Sequence, residues 1–184
     1  MRSAFRFFAG LTFAALATAS PSLPAAPAVS FSPNDISSLF SISKSENKNE
    51  VLYAMRLDEN CAPVGTTPVF GYWRMNEKGP GQTEPLLSRE QSAYGIASQT
   101  VRERNTDGGK VRFTLKAVPD RPIDVVTRRD GSTCRAWSTM AIQNQKAFLY
   151  NVFAKVRWPF GVSYLLLSGW SEDRTRVLQE RIEP

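Results

Sequence analysis

The sequence predicts an all-β fold, an antiparallel β-sandwich or small closed barrel of about ten strands with one short helix. Three features carry that expectation: a two-residue apolar period, turn residues between apolar runs, and the shortness of those runs. The clearest strand is residues 110–117, where Val111, Phe113, Leu115 and Ala117 alternate with Lys110, Arg112, Thr114 and Lys116. That alternation sends one set to the core and the other to water. Residues 123–128 and 132–141 flank Asp130-Gly131, a pair that a type I′ hairpin turn prefers because both central residues take positive φ. Upstream, residues 39–43 and 51–57 bracket the polar Glu46-Asn47-Lys48-Asn49, and residues 69–75 add an aromatic-rich run. These three read as a meander. Residues 147–156 fit both a strand (Phe148, Tyr150, Val152, Ala154, Val156) and a helix face (Phe148, Leu149, Val152, Phe153, Val156). The turn residues Trp158-Pro159-Phe160-Gly161 and the short apolar run 162–170 behind them favour the strand. The one helix is brief: Ser88 can cap a turn with Gln91 at the capping-box position, and Gly95 can end it.

The chain has 184 residues, 42% of them hydrophobic and 22% charged, enough for one core and too few for two. It contains no histidine, which excludes every mechanism built on an imidazole. Residues 1–19 read as a secretory signal peptide: Arg2 and Arg6 precede a charge-free run, residues 7–19, that ends in the small-x-small pattern Ala17-Thr18-Ala19. Spanning a bilayer takes about 20 apolar residues, and this run meets Ser20-Pro21 first, so no transmembrane helix is expected in the mature chain. Residues 20–35 form a Pro/Ala/Ser-rich linker and residues 36–184 a single β domain. The protein is thus expected to be exported, periplasmic or extracellular, and Cys61 and Cys134 are expected to bond each other. In the chain-entropy model such a bridge adds about 4 kcal/mol.

The chemistry-bearing motifs are sparse. Ser41-Ile42-Ser43-Lys44 fits S-x-x-K, but it sits in a predicted strand and no K-T-G element accompanies it. The pairs Asp58-Glu59 and Glu172-Asp173 are adjacent in sequence, so on a strand their carboxylates face opposite ways and make no dyad. No metal and no cofactor are expected. Lys110, Arg112 and Lys116 share one strand face; Arg102 and Arg104 can join them from the preceding strand, and Lys155 and Arg157 repeat the two-residue step. If those strands are neighbours, their face suits an anionic envelope polymer, an anionic lipid headgroup or extracellular nucleic acid, the last ranking lower because no specific nucleic-acid motif is present. Tyr72, Trp73, Tyr94 and Trp170 combine apolar bodies with polar tips, suited to a small ligand or to a core near the surface.

The run from Lys44-Ser45-Glu46-Asn47-Lys48-Asn49-Glu50-Val51 to Tyr53, with Tyr72-Trp73, Arg89-Glu90, Ala93-Tyr94-Gly95, Ser168-Gly169-Trp170 and Gln179-Glu180, resembles the bacterial family called domain of unknown function 4833. The resemblance implies a secreted or envelope-associated protein and no established reaction. Asn47 and Asn49 suit a turn, because their side chains bond the local backbone and tolerate left-handed geometry. A ligand-binding role for Lys44, Asn47, Asn49, Trp73 and Tyr94 requires those five to converge in space. The expected function is a non-catalytic ligand-binding or envelope-interaction module. The alternative is a small His-independent hydrolase using carboxylates or a Ser/Lys pair.

Overall fold

The computed structural model describes residues 36–79, 81–157 and 161–183; the signal-peptide and linker expectations for residues 1–35 lie outside the described residues. Two arms of sheet are built in chain order. The first comprises β1 (Ile36–Lys44), β2 (Glu50–Arg56), β3 (Val69–Arg74) and the short β4 (Thr83–Pro85), all antiparallel, as the meander predicted. Helix α1 (Gln91–Tyr94) then leads into β5 (Ile96–Asn105), β6 (Gly108–Leu115), β7 (Val118–Asp130) and β8 (Thr133–Ile142), a second antiparallel arm. Both arms hang from β9 (Gln145–Arg157), which also pairs with β10 (Gly161–Ser171), itself edged by β11 (Val177–Ile182).

Among the described residues the strands form one sheet, in the order β4-β3-β2-β1-β9-β8-β7-β6-β5 with β10 and β11 off that path. The sheet forks because β10 occupies one edge of β9, leaving β8 and β1 to share the other. β8 pairs only as far as Thr139–Phe148, and β1 takes over from Asn151 onward. Polar side chains fill the crotch of the fork, where backbone groups lose their ladder partners. The Ser138 hydroxyl donates to the Leu149 carbonyl at 3.0 Å, and the Asn151 amide donates to the Ser41 and Ser43 hydroxyls at 3.1 and 3.2 Å.

The apolar faces of the two arms meet across one core. Phe40 of β1 stacks on Tyr53 of β2, centroids 4.6 Å apart, and lies 6.3 Å from Phe113 of β6 in the opposite arm. At the arm tips no backbone ladder joins β3 to β5. Instead the Gln99 carboxamide stands in for a peptide group, accepting from the Val69 N–H at 3.0 Å and donating to the Val69 carbonyl at 3.2 Å. The sheet is therefore not closed into a barrel.

Among the described residues the fold is nearly all β, with one four-residue helix. One ladder departs from the antiparallel expectation: β1 and β9 run parallel, which their long separation along the chain permits. Residues 147–156 are strand, as their flanking turn residues indicated. β6 ends at Leu115, and Lys116 and Ala117 form the two-residue turn to β7, both exposed. The next hairpin slips by one residue from the expected turn. Asp130 pairs with Thr133, the loop is Gly131-Ser132, and only Gly131 has positive φ (63°), as a type II′ turn requires. Ser88 does not cap α1. Glu90 occupies that position, and its carboxylate reaches back to the Leu87 N–H at 2.8 Å. Gly95 ends the helix in an extended conformation, and a Cβ there would collide with the Gln91 carbonyl.

The Cys61–Cys134 disulfide is formed as expected, tying the β2–β3 loop to the start of β8. On the far side, Glu180 of β11 joins three elements. It accepts from Arg121 of β7 at 2.6 Å and from the Gln143 N–H at 2.7 Å, holding Gln143 at a φ of 54° in the β8–β9 turn. The Arg121 hydrogen bond foremost, and the Gln143 amide with it, keeps the Glu180 carboxyl below its ordinary value. Asp173 is drawn down to about 2, first by the Ser171 hydroxyl and then by the Thr175 amide. A depressed carboxyl stabilises the fold above its unfolded-state value and loses that contribution as pH falls through the folded value. The urea midpoint is therefore expected to hold steady from about pH 7 to 5 and to fall between about pH 4.5 and 2. Arg121→Ala should remove the Glu180 share of that fall; an unchanged acid limb in this variant would contradict the assignment.

Candidate functional site

Lys44 is the last residue of β1, two positions beyond the buried Ile42, so its side chain leaves the strand on the core-facing side. It emerges beside Trp73 of β3, with its ammonium 4.9 Å from the indole centroid. The same ammonium lies 3.6 Å from a Glu46 carboxylate oxygen. Trp73 is 7% exposed, and its position is fixed twice. Its Nε1–H donates to Glu90 Oε2 at 2.9 Å, and Tyr94 meets its ring edge-on at 5.5 Å between centroids. Tyr94 is held in turn, its carbonyl accepting the Tyr53 hydroxyl at 2.5 Å. Burial chiefly, with the Glu46 and Glu90 carboxylates adding to it, raises the Tyr94 phenol above its ordinary value, so it stays neutral and able to donate.

These residues border a cleft of about 190 Å³, open to solvent between the β1–β2 turn and the segment before α1. Four of the five residues singled out from the sequence, Lys44, Asn47, Asn49 and Trp73, line it, and Tyr94 packs behind Trp73. The two asparagines build the wall. The Asn49 N–H donates to Asn47 Oδ1 at 3.0 Å, an Asx turn, and the Asn49 amide exchanges bonds with Glu77 at 3.1 and 3.3 Å. Neither asparagine takes the left-handed backbone that its residue type permits. Met75, Glu84, Pro85, Leu87 and Glu90 complete the lining, and none of them is a candidate from the sequence. Glu90 carries a weak signal in the Arg89-Glu90 element, but Ser88 is the stronger local capping residue, so the sequence alone does not single out the neighbouring carboxylate. Leu87 is 53% exposed, and nothing in the local sequence marks it as a surface leucine.

The other candidates take structural parts. Ser41 and Lys44 lie an odd number of residues apart on β1 and so face opposite ways. Asp58 accepts from the Asn60 and Ala62 amides, Glu172 pairs with Lys146 at 2.8 Å, and Asp173 braces its own turn. A metal would need several ligands together; among the described residues no three His, Cys, Asp or Glu side chains are grouped to supply them. No described helix is long and apolar enough to cross a membrane.

The expected basic face is broken up. β5 and β6 are neighbours, and Arg102 lines a groove with Lys110 and Arg112, but a bulge between Val101 and Glu103 shifts the alternation, so Glu103 rather than Arg102 stands opposite Lys110 and Arg104 falls opposite Gly109. Glu103 pairs with Lys110 at 2.5 Å, Asp124 takes Arg112 through two bonds of 2.6 and 2.8 Å, and Arg104 turns to the Pro63 and Gly65 carbonyls. Lys155 and Arg157 lie on β9, separated from β6 by both β8 and β7. Trp170 is 43% exposed on the outer surface beside Tyr150, away from the cleft. A second cavity, of about 50 Å³, is lined by apolar side chains such as Met140, Leu149 and Leu165, with Tyr94 its one polar side chain. Its size and chemistry are those of a packing void.

Together these features define a small, nearly all-β domain, built on a forked sheet, that carries a polar and aromatic cleft. The chain belongs to the family described as Domain of unknown function (DUF4833), whose model matches residues 40–181, from within β1 into β11. No curated protein and no solved structure matches the chain significantly.

Proposed function

We propose that the protein is an exported, non-catalytic ligand-binding module of the cell envelope whose site is the Lys44–Trp73 cleft. The observation that carries this reading is the convergence of Lys44, Asn47 and Asn49 with Trp73, drawn from two chain segments, on one opening with a fixed aromatic ring at its base. A preset ring with nearby polar groups suits small-ligand recognition, because little ordering remains to be done on binding. Export is supported by the basic-then-apolar run of residues 1–19 and by a cysteine pair of the kind that oxidising compartments maintain. The hydrolase alternative draws no support from Ser41, Asp58 or Asp173, each engaged in local structure.

A thermal-shift screen of the oxidised protein against cell-wall fragments, anionic glycans, lipids and small metabolites tests the reading, since a ligand at 100 times its Kd adds about 2.7 kcal/mol. The ligand-dependent rise should be lost, with the ligand-free Tm unchanged, in Leu87→Ser, which alters an exposed cleft residue. An equal rise in wild type and variant would place the site elsewhere.

A further inference from the structure

The cleft already holds a cation over its aromatic ring, and that cation belongs to the protein. The Lys44 ammonium sits 4.9 Å from the Trp73 centroid, within the range where a ring's negative face attracts positive charge. Around it stand Glu46, 3.6 Å away, and the lining carboxylates of Glu84 and Glu90. Lys78 pairs with Glu84 at 2.5 Å, but Glu46 and Glu90 still outnumber Lys44. An anion entering here would meet carboxylates, and the nearest cation is already engaged. A cation would meet a favourable field and a ring face.

Glu90 supplies a second, independent reason. Both of its hydrogen bonds, from the Trp73 indole and from the Leu87 amide, are accepted by Oε2. Oε1 is left with its lone pairs, on a carboxylate whose orientation those two bonds fix beside the ring. Among the described residues no donor reaches Oε1, which stays accessible to solvent on the cleft wall. Lys44, meanwhile, has a long, flexible stem by which it can leave the ring: its side chain is 17% exposed, and Glu46, 50% exposed, offers it a partner outside the ring face.

We propose that the cleft recognises a primary ammonium group, which displaces Lys44 from the Trp73 face and donates to Glu90 Oε1. Lys44 is then a tethered competitor, and the specificity is for an alkylamine over a neutral or anionic analogue. The inference rests on the reading of the cleft as a ligand site.

The probe is n-butylammonium chloride, the Lys44 side chain in free form, and the readout is the Trp73 indole N–H resonance, assigned by its loss in Trp73→Phe. Butylammonium should shift that resonance saturably, whereas n-butanol and sodium butyrate should not. Lys44→Ala, which clears the ring, should tighten binding by about five-fold or more. Glu90→Gln, which keeps shape and removes charge, should weaken it by a similar factor. An equal shift with n-butanol, or a saturable one with butyrate, would overturn the ammonium preference and leave the cleft reading standing. The absence of any saturable response to butylammonium in both wild type and Lys44→Ala would overturn the proposal outright. In that event the Leu87→Ser thermal-shift comparison still judges the cleft.

Discussion

Phe40→Ala is expected to lower the stability of the protein by about 3–5 kcal/mol, roughly a fifth or more of the margin typical of a domain. Phe40 is 3% exposed and lies at the hinge of the fork, stacked on Tyr53 within its own arm and facing Phe113 in the other. Truncation removes the ring that both arms share and leaves a void that strands fixed at β9 cannot close. The effect should reach the cleft, because Tyr53 holds the Tyr94 carbonyl and Tyr94 abuts Trp73. Urea unfolding should therefore show a lower midpoint with an unchanged m value, together with a displaced Trp73 indole resonance. Phe40→Leu, which refills most of the volume, should cost less than about 1.5 kcal/mol. A loss below about 1 kcal/mol for Phe40→Ala would show that the site is loosely packed and that the arms do not depend on this ring.

The second large effect concerns the disulfide. Cys61 and Cys134 are 73 positions apart and close a loop running from the β2–β3 connection to β8. Their Cα atoms are 5.3 Å apart, a separation ordinary for a cystine. In the chain-entropy model, opening a loop of this length costs about 4 kcal/mol, through the greater freedom of the unfolded chain. Cys61 is itself fully buried, and its carbonyl accepts the buried Thr127 hydroxyl at 2.7 Å, so the native contacts persist once the bond is cut. The paired variant Cys61→Ser with Cys134→Ser should therefore fold but melt at a markedly lower temperature, and reductant should lower the Tm of wild type alone. A paired variant as stable as wild type would show that the β2–β3 loop is already pinned by Asp58, Arg104 and Thr127.

What the sequence disclosed and what it hid divide along a physical line. Strands with a strong two-residue period were legible, as at Val111, Phe113 and Leu115, because alternation is a local property of the chain. β11 escaped notice since only Leu178 among its six residues is buried, and β4 is three exposed residues long. The β8–β9 turn was hidden for another reason. Gln143 and Asn144 both take positive φ without glycine, and Gln143 is held there by Glu180, 37 residues away. The bulge at Val101 and Glu103, which turns Arg104 off the basic face, has no mark in the local sequence. The fork itself depends on Asn151 meeting Ser41 and Ser43 across more than half of the chain. In the cleft, the aromatic and amide residues were recognisable by type. Glu90 acquires its role from the fold, which brings it under the indole N–H of a residue 17 positions earlier.

The most direct measurement is a backbone amide shift map of the oxidised, ¹⁵N-labelled protein, titrated with the compound that gives the largest thermal shift. Perturbations should centre on Lys44, Asn47, Asn49, Trp73 and Glu90, with Tyr94 moving alongside. A map centred instead on Lys110 and Arg112, or on the Tyr150–Trp170 pair, would contradict the assignment of the cleft as the binding site.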